Sequence, residues 1–213
     1  MDSRRDPIAA FVGDEHADRV LRDLESFCSL VRKWQPAQNL VSRETVGALW
    51  DRHILDSLQL HTLFGPTDLQ CVDLGSGGGF PALPLAIAAK GSERRFLLVE
   101  SNARKAAFLR AAARELGVAV RVASERAESL DSRETVGVDI VTARALAPLD
   151  RLFGWVAPFM SSNTRAILPK GREHVEELAL ADALWQYDVV MHQSSTDPEG
   201  VILEIANLHR KTR

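Results

Sequence analysis

The stretch Val72–Ala88, VDLGSGGGFPALPLAIA, holds the residues best suited to grip a ligand. Four of the five positions from Gly75 to Gly79 are glycine, Asp73 precedes them, and Pro81 opens an apolar run. Glycine admits positive φ and lets backbone approach a ligand with no Cβ in the way. A helix starting near Pro81 would offer unpaired N–H groups to an anionic group. A phosphate-binding P-loop ends in glycine, lysine and serine or threonine, whereas this loop ends at Gly79, Phe80 and Pro81. Two ligand classes stay open. Gly77–Ala82 fits the G-x-G-x-x-A pattern of dinucleotide sites. Asp73, an acid in the strand before the loop, fits S-adenosylmethionine equally well. Glu100 lies 25 residues after Gly75 at the end of the next strand. A carboxylate there can accept both ribose hydroxyls in either class, or cap a helix at Asn102.

Other polar groups could complete such a site. His53 and Asp56 are three apart and share a helix face, flanked by Arg52 and Ser57. They form either a polar cluster facing a crevice or an ordinary exposed face. Arg144 ends a strand, where an arginine can hold a carboxylate or phosphate bidentately or pair with Asp73 or Asp139. Lys170 stands beside Gly171 and can meet phosphate or a base, or sit in a plain turn. Cys28 and Cys71 match no metal-ligand spacing, so no metal is expected.

The elements that must position these groups are legible as periodicity. Residues 1–13 read as a loose start. From Asp14 to Trp34 apolar residues recur in steps of three and four, predicting an amphipathic helix ended by Pro36. A second helical stretch runs to Phe64, capped by Ser42 or Thr45, with a break near Asp51. Strands are predicted at Cys71–Leu74, Arg95–Val99, Val118–Ala123, Val138–Ala143 and Thr164–Leu168. Helices alternate with them at Pro81–Lys90, Asn102–Leu116, Leu149–Phe159 and Glu173–Trp185. Tyr187–His192 and Val201–Ala206 read as two closing strands. Alternation of this kind means an α/β fold with a parallel sheet covered on both faces, and the closing pair implies an antiparallel edge. Residues 1–66 form a helical cap and 67–213 the ligand-binding domain, in one compact unit.

The 213 residues carry a net charge of −3, which does not advertise a nucleic-acid binder. Binding needs only a local basic face, and basic residues cluster at Arg4–Arg5, Arg32–Lys33, Arg104–Arg114, Lys170–Arg172 and His209–Arg213. The longest apolar run, Ala82–Ala89, is far short of the roughly 20 residues of a membrane span. The charged start lacks a secretory signal pattern, and two reduced thiols suit the cytoplasm.

Several short strings match one family in order across residues 34–171. They are Asn39–Leu40 after a tryptophan-bearing helix, RHILDS at Arg52–Ser57, VDLGSGGGFP at Val72–Pro81, and Glu100–Ser101 with Arg104–Lys105 and Phe108–Leu109. Arg126–Glu128, Ala143–Ala145 and LPKG at Leu168–Gly171 follow. The chain resembles the RsmG (GidB) family of 16S ribosomal RNA guanine-N7 methyltransferases. One departure is Ala82, where the family usually has a further glycine; it adds only a methyl group.

The resemblance implies a Rossmann-like class I methyltransferase with a mostly parallel seven-stranded sheet. It implies S-adenosylmethionine as cofactor, with Asp73, Gly75, Gly77, Phe80, Glu100, Ala127, Glu128 and Arg144 around it. Read without the family, Arg126–Leu130 is a short surface helix. The resemblance also turns Arg52, His53, Asp56 and Ser57, with Lys170, into candidates to position the substrate. That substrate is 16S ribosomal RNA or the small ribosomal subunit, and the enzyme is expected to be a monomer. Guanine N7 has an in-plane lone pair and no proton, so neither a general base nor a metal is required. The rate should come from holding N7 in line with the departing sulfur. A-form RNA hides that edge, so the guanine must lie in a loop or be extruded. Other readings are a methyltransferase acting on another RNA, a protein or a small molecule, an NAD-dependent oxidoreductase, and a non-catalytic RNA-binding module.

Overall fold

The computed structural model describes residues 2–131, 134 and 136–212; Met1 and Arg213, ends of the polar start and basic tail, lie outside them. Its strands are β1 (Gln70–Leu74), β2 (Arg95–Val99), β3 (Val120–Ala123), β4 (Ile140–Thr142), β5 (Arg165–Lys170), β6 (Trp185–Gln193) and β7 (Val201–Arg210). They form one sheet in the order β3-β2-β1-β4-β5-β7-β6. The first five are parallel; β7 runs antiparallel to both β5 and β6. The expected mostly parallel sheet with an antiparallel edge is therefore present.

The inner strands are largely apolar because both faces are covered, with Asp73 in β1 and Thr142 in β4 as buried polar exceptions. Cys71, Phe96 and Leu98 face one core, which also takes in the N-terminal helices, α4 (Ala82–Ala88) and α5 (Ala103–Leu116). Val72, Leu74, Leu97 and Val99 face the other, with α6 (Leu149–Val156) and α7 (His174–Asp182). Asn102 caps α5 by accepting from the amides of Arg104 and Lys105, and Gly117 ends it at φ +63°.

The N-terminal segment departs from expectation in three ways. The start is not loose: α1 (Arg5–Val12) packs on α2 (Asp14–Gln38) through buried Ile8 and Val12. Pro36 does not end α2 but lies, exposed, in its last turn. The helix ends instead at Asn39, at φ +47°, and buried Gln35 stitches the exit. Its amide donates to the Val41 carbonyl at 2.7 Å, and its Oε1 accepts from the amides of Leu40 and Val41. Along α2, Val20, Leu24, Phe27 and Val31 are buried on one stripe, each worth about 1.5–3 kcal/mol against exposure.

The stretch up to Leu63 is not one helix. It runs as a 3-10 turn (Val46–Ala48), a π-helical turn (Trp50–Leu55), α3 (Asp56–Leu58) and a second 3-10 turn (Gln59–Leu63). Neither Ser42 nor Thr45 caps it; their hydroxyls bond each other at 2.9 Å. At the other end of the chain α7 stops at Asp182, and Trp185 opens β6 because it pairs with Arg210 of β7. Pro169 and Lys170 are not a turn: β5 carries them, paired with Ile202 and Val201.

Candidate active site

Two cavities meet above the carboxyl ends of β1, β2 and β4. The first, about 530 Å3, is lined by the glycine loop, Glu100, the Ala127–Glu128 turn, Arg144 and the Leu40–Ser42 connector. The second, about 570 Å3, is lined by Arg52, His53, Asp56, Lys170 and the loop between β6 and β7. Thr45, His53, Arg144, Ala145 and Leu146 border both and form the wall between them.

The glycine loop is held from below. The amides of Gly75 and Ser76 both donate to the Val99 carbonyl, at 2.9 and 3.0 Å. Gly75 sits at φ +70°, and a Cβ there would come 2.5 Å from Leu146. At Gly78 a Cβ would come 2.6 Å from the Leu40 carbonyl oxygen, so the N-terminal segment lies directly on the loop. Asp73 lines neither cavity. It is buried under the loop, where its Oδ1 accepts from Thr142 at 2.7 Å and its Oδ2 has no partner among the described residues. Burial pushes its carboxyl up to about 6. Its place is that of a support beneath the loop, not a contact in the cavity.

Glu100 meets the start of the helix, as one of the two readings weighed for it expected, and also lines the first cavity. One oxygen accepts from the Asn102 amide at 2.7 Å, at the start of α5, and the other from the Gly77 amide at 2.8 Å. The carboxylate thus closes the loop while lining the cavity, with lone pairs left for hydroxyl donors. This placement sets which ligand fits. A pyrophosphate would meet a carboxylate where a dinucleotide site offers free amides. The expected supply of amides from the following helix is also missing. Pro81 has no N–H, the Leu83 amide donates to the Gly79 carbonyl, and every residue of α4 is buried. An acceptor carboxylate here suits the hydroxyls of a nucleoside carrying positive charge, as in S-adenosylmethionine.

The dividing wall is a chain of polar contacts. Arg144 stacks over Phe80, 5.3 Å from the ring centroid. Its guanidinium donates to Asp56 Oδ2 at 2.9 Å, to the Arg52 carbonyl at 3.2 Å and to His53 Nδ1 at 2.7 Å. It hydrogen-bonds neither Asp73 nor Asp139; Asp139 instead accepts the amides of Leu69 and Gln70 at the far end of β1. His53 lies 5.0 Å from the Phe80 ring, and its Nε2 meets the Thr45 hydroxyl at 2.8 Å. Since Nδ1 accepts from Arg144, Nε2 carries the proton and the ring is neutral. Burial, then the Arg144 charge, hold its pKa down to about 4.

Two expected site residues are placed otherwise. Ser57 is buried and lines neither cavity; its hydroxyl donates to the His53 carbonyl one turn back, at 2.5 Å. Lys170 borders the second cavity, but its ammonium is spent on Glu177 at 2.6 Å and on the Ala147 carbonyl at 2.9 Å. Glu177 also accepts the Leu149 amide, so Lys170 ties the β4–α6 loop down.

Sequence reasoning missed Thr45, Gln59 and the Ser194–Gly200 loop. Gln59 Oε1 accepts from the amide and hydroxyl of Ser195 at 2.8 and 2.9 Å, and its Nε2 reaches Asp56 Oδ1 at 3.1 Å. Thr196 donates to the same Asp56 oxygen at 3.0 Å. A buried glutamine between Leu58 and Leu60 was the available signal, since such a group must find partners.

Comparison with known proteins agrees with this arrangement. The family model GidB, described as rRNA small subunit methyltransferase G, matches residues 20–204. A protein of that name from Parvibaculum lavamentivorans is 44% identical over 93% of this chain and 86% of its own length. One from Rhizobium meliloti is 45% identical over 91% and 92%, and one from Brucella ovis 45% over 96% and 94%. Among solved structures, a mutant of MtNAS in complex with S-adenosylmethionine superposes with a TM-score of 0.54 at 18% identity, over 93% of this chain and 79% of that one. The ribosomal protein L11 methylase of Lactobacillus delbrueckii subsp. bulgaricus gives 0.52 at 16%, over 74% and 78%. These two share the class I methyltransferase fold, and by sequence the chain belongs to the GidB family, the rRNA small subunit methyltransferases G.

Proposed function

We propose that this chain transfers a methyl group from S-adenosylmethionine to N7 of one guanine in 16S ribosomal RNA. The observation that carries the reading is the pair of joined cavities, one closed by Glu100 and the glycine loop, the other open beyond the His53–Arg144 wall. Glu100 would take the ribose hydroxyls. Gly75, Gly77 and Phe80 would line the nucleoside and methionine portions, and Ala127–Glu128 would read the adenine edge. When bound, S-adenosylmethionine supplies an electrophilic methyl group on a sulfonium.

This chain's own residues then have positioning to do and no proton to move. Guanine N7 is already a lone pair, and His53 could not serve as a base with its Nδ1 committed to Arg144. Arg144, fixed by Asp56 and Phe80, holds the wall against which the purine must lie. Such preorganisation removes orientational freedom before reaction, the main source of rate for a displacement of this kind. Arg52, more than half exposed and paired among the described residues only with Asp197 at a long 3.3 Å, can turn to meet RNA phosphate; Asp56, Ser57 and Lys170 support the wall and loops.

The same reading makes residues 1–66 a cap on a methyltransferase domain of residues 67–213, acting as a monomer in the cytoplasm on ribosomal RNA or the small subunit. No described helix is long and apolar enough to cross a membrane. Titration calorimetry with S-adenosylhomocysteine and with NAD is the direct test of the ligand class. Binding of the first alone is expected; binding of NAD alone would support an oxidoreductase.

A further inference from the structure

The second cavity holds an unassigned specificity element. We propose that Asp197, on the β6–β7 loop, reads the N1–H and N2–H2 edge of the purine and so selects guanine. This rests on the methyl-transfer reading above. A purine whose N7 faces the wall shared with the first cavity turns its opposite edge, N1 and N2, to the far side. Asp197 lines the second cavity and not the first. A carboxylate is the acceptor-only group that matches two adjacent N–H donors.

Other carboxylates in this cavity are committed. Asp56 accepts from Arg144, Gln59 and Thr196. Glu177 accepts from Lys170 and the Leu149 amide. Asp51 lines the cavity but stands exposed, where water competes for any base it meets. Asp197 is half-buried and built in. Its amide donates to Ser194 Oγ, its carbonyl accepts from the Gly200 amide, and its Oδ1 accepts from the Glu199 amide at 3.0 Å. Buried Gln59 pins the loop from below through Ser195. Among the described residues Oδ2 meets only the exposed Arg52 guanidinium, at a long 3.3 Å. That exposed guanidinium can turn to a phosphate when the base arrives.

Two transcripts of the substrate RNA decide the matter, one with guanine and one with inosine at the target. Inosine keeps N7 and N1–H but lacks the N2 amine. Single-turnover transfer is measured with the full-length enzyme, Asp197→Asn and Asp51→Asn, each first shown to bind S-adenosylhomocysteine. Expected are a roughly ten- to hundredfold preference of the unaltered enzyme for guanine, its collapse to about one in Asp197→Asn, and its retention in Asp51→Asn. An unaltered enzyme without preference, a preference kept by Asp197→Asn, or transfer to neither RNA by a folded Asp197→Asn would overturn the proposal. Failure of the unaltered enzyme to methylate either RNA would instead overturn the methyl-transfer reading beneath it.

Discussion

Arg144 donates a hydrogen bond to His53 Nδ1 at 2.7 Å, across 91 residues of sequence, and that contact is the wall between the two cavities. It joins the residues after β4 to the π-helical turn of the N-terminal segment. The same guanidinium reaches Asp56, which in turn anchors the β6–β7 loop through Thr196. One cation thus sets the relative position of three separate segments.

Lysine cannot reproduce this fork. Arg144→Lys is expected to slow RNA methylation at least tenfold while leaving the fold in place. Arg144→Ala strips Asp56 and the Arg52 carbonyl of a donor in a largely buried setting. It should cost about 1–3 kcal/mol, read from urea unfolding. Equal rates for Arg144→Lys and the unaltered enzyme would show that the wall plays no part in transfer.

Adjacent glycines should respond differently. A Cβ on Gly78 would strike the Leu40 carbonyl, which is backbone and cannot rotate away. Gly78→Ala should therefore lose about 1–3 kcal/mol of stability. At Gly77 a Cβ meets nothing closer than 3.7 Å, but φ is +52° and its amide holds the Glu100 carboxylate at 2.8 Å. Gly77→Ala should cost about 1–2 kcal/mol of backbone strain and weaken S-adenosylhomocysteine binding more than Gly78→Ala does. Melting curves and calorimetry on both variants separate the two effects.

Asp73 gives a pH signature with a definite sign. Its carboxyl is raised from 3.8 to about 6 in the folded state by burial. The unfolded chain therefore releases this proton first, and the stability it contributes is present below about 4 and lost as pH rises to about 6. Asp73→Asn removes that loss. In the absence of cofactor, the melting temperature of the variant relative to the unaltered protein should climb between pH 4 and pH 6 and level off above. A constant difference across this range would show that Asp73 is not held in its protonated form.

Gln59 lies in neither segment of the glycine loop, yet it holds Ser195 and reaches Thr196 and Asp56. Gln59→Leu, similar in size, removes those bonds. RNA methylation should fall while the S-adenosylhomocysteine dissociation constant stays within about twofold. Parallel losses of both would mean that Gln59 acts through general stability rather than through the second cavity.

The sheet was legible because buried parallel strands are largely apolar; Cys71–Leu74, apolar but for Asp73, and Phe96–Val99 announce themselves in this way. The glycine loop and Glu100 were legible because their chemistry is local to two strand ends. The first helix was not, since it is only about two turns long, begins with Arg5, Asp6 and Pro7, and buries only Ile8 and Val12. Pro36 misled because a proline in an exposed last turn costs far less than one in a buried turn. The partner of Arg144 was beyond reach for a different reason. Asp56, Asp73 and Asp139 are equivalent as sequence, and only the broken helical path of residues 46–63 brings the first of them to the guanidinium.

The most direct measurement is transfer of labelled methyl from S-adenosylmethionine to small ribosomal subunits, and to free 16S RNA, from a strain lacking the modification. The modified base is then identified and mapped. One methyl group per RNA, at N7 of a single guanine, is the expected result, with Glu100→Gln strongly impaired at limiting cofactor. Label at any other atom, or no transfer to either substrate by an enzyme that binds S-adenosylhomocysteine, would contradict the proposed activity.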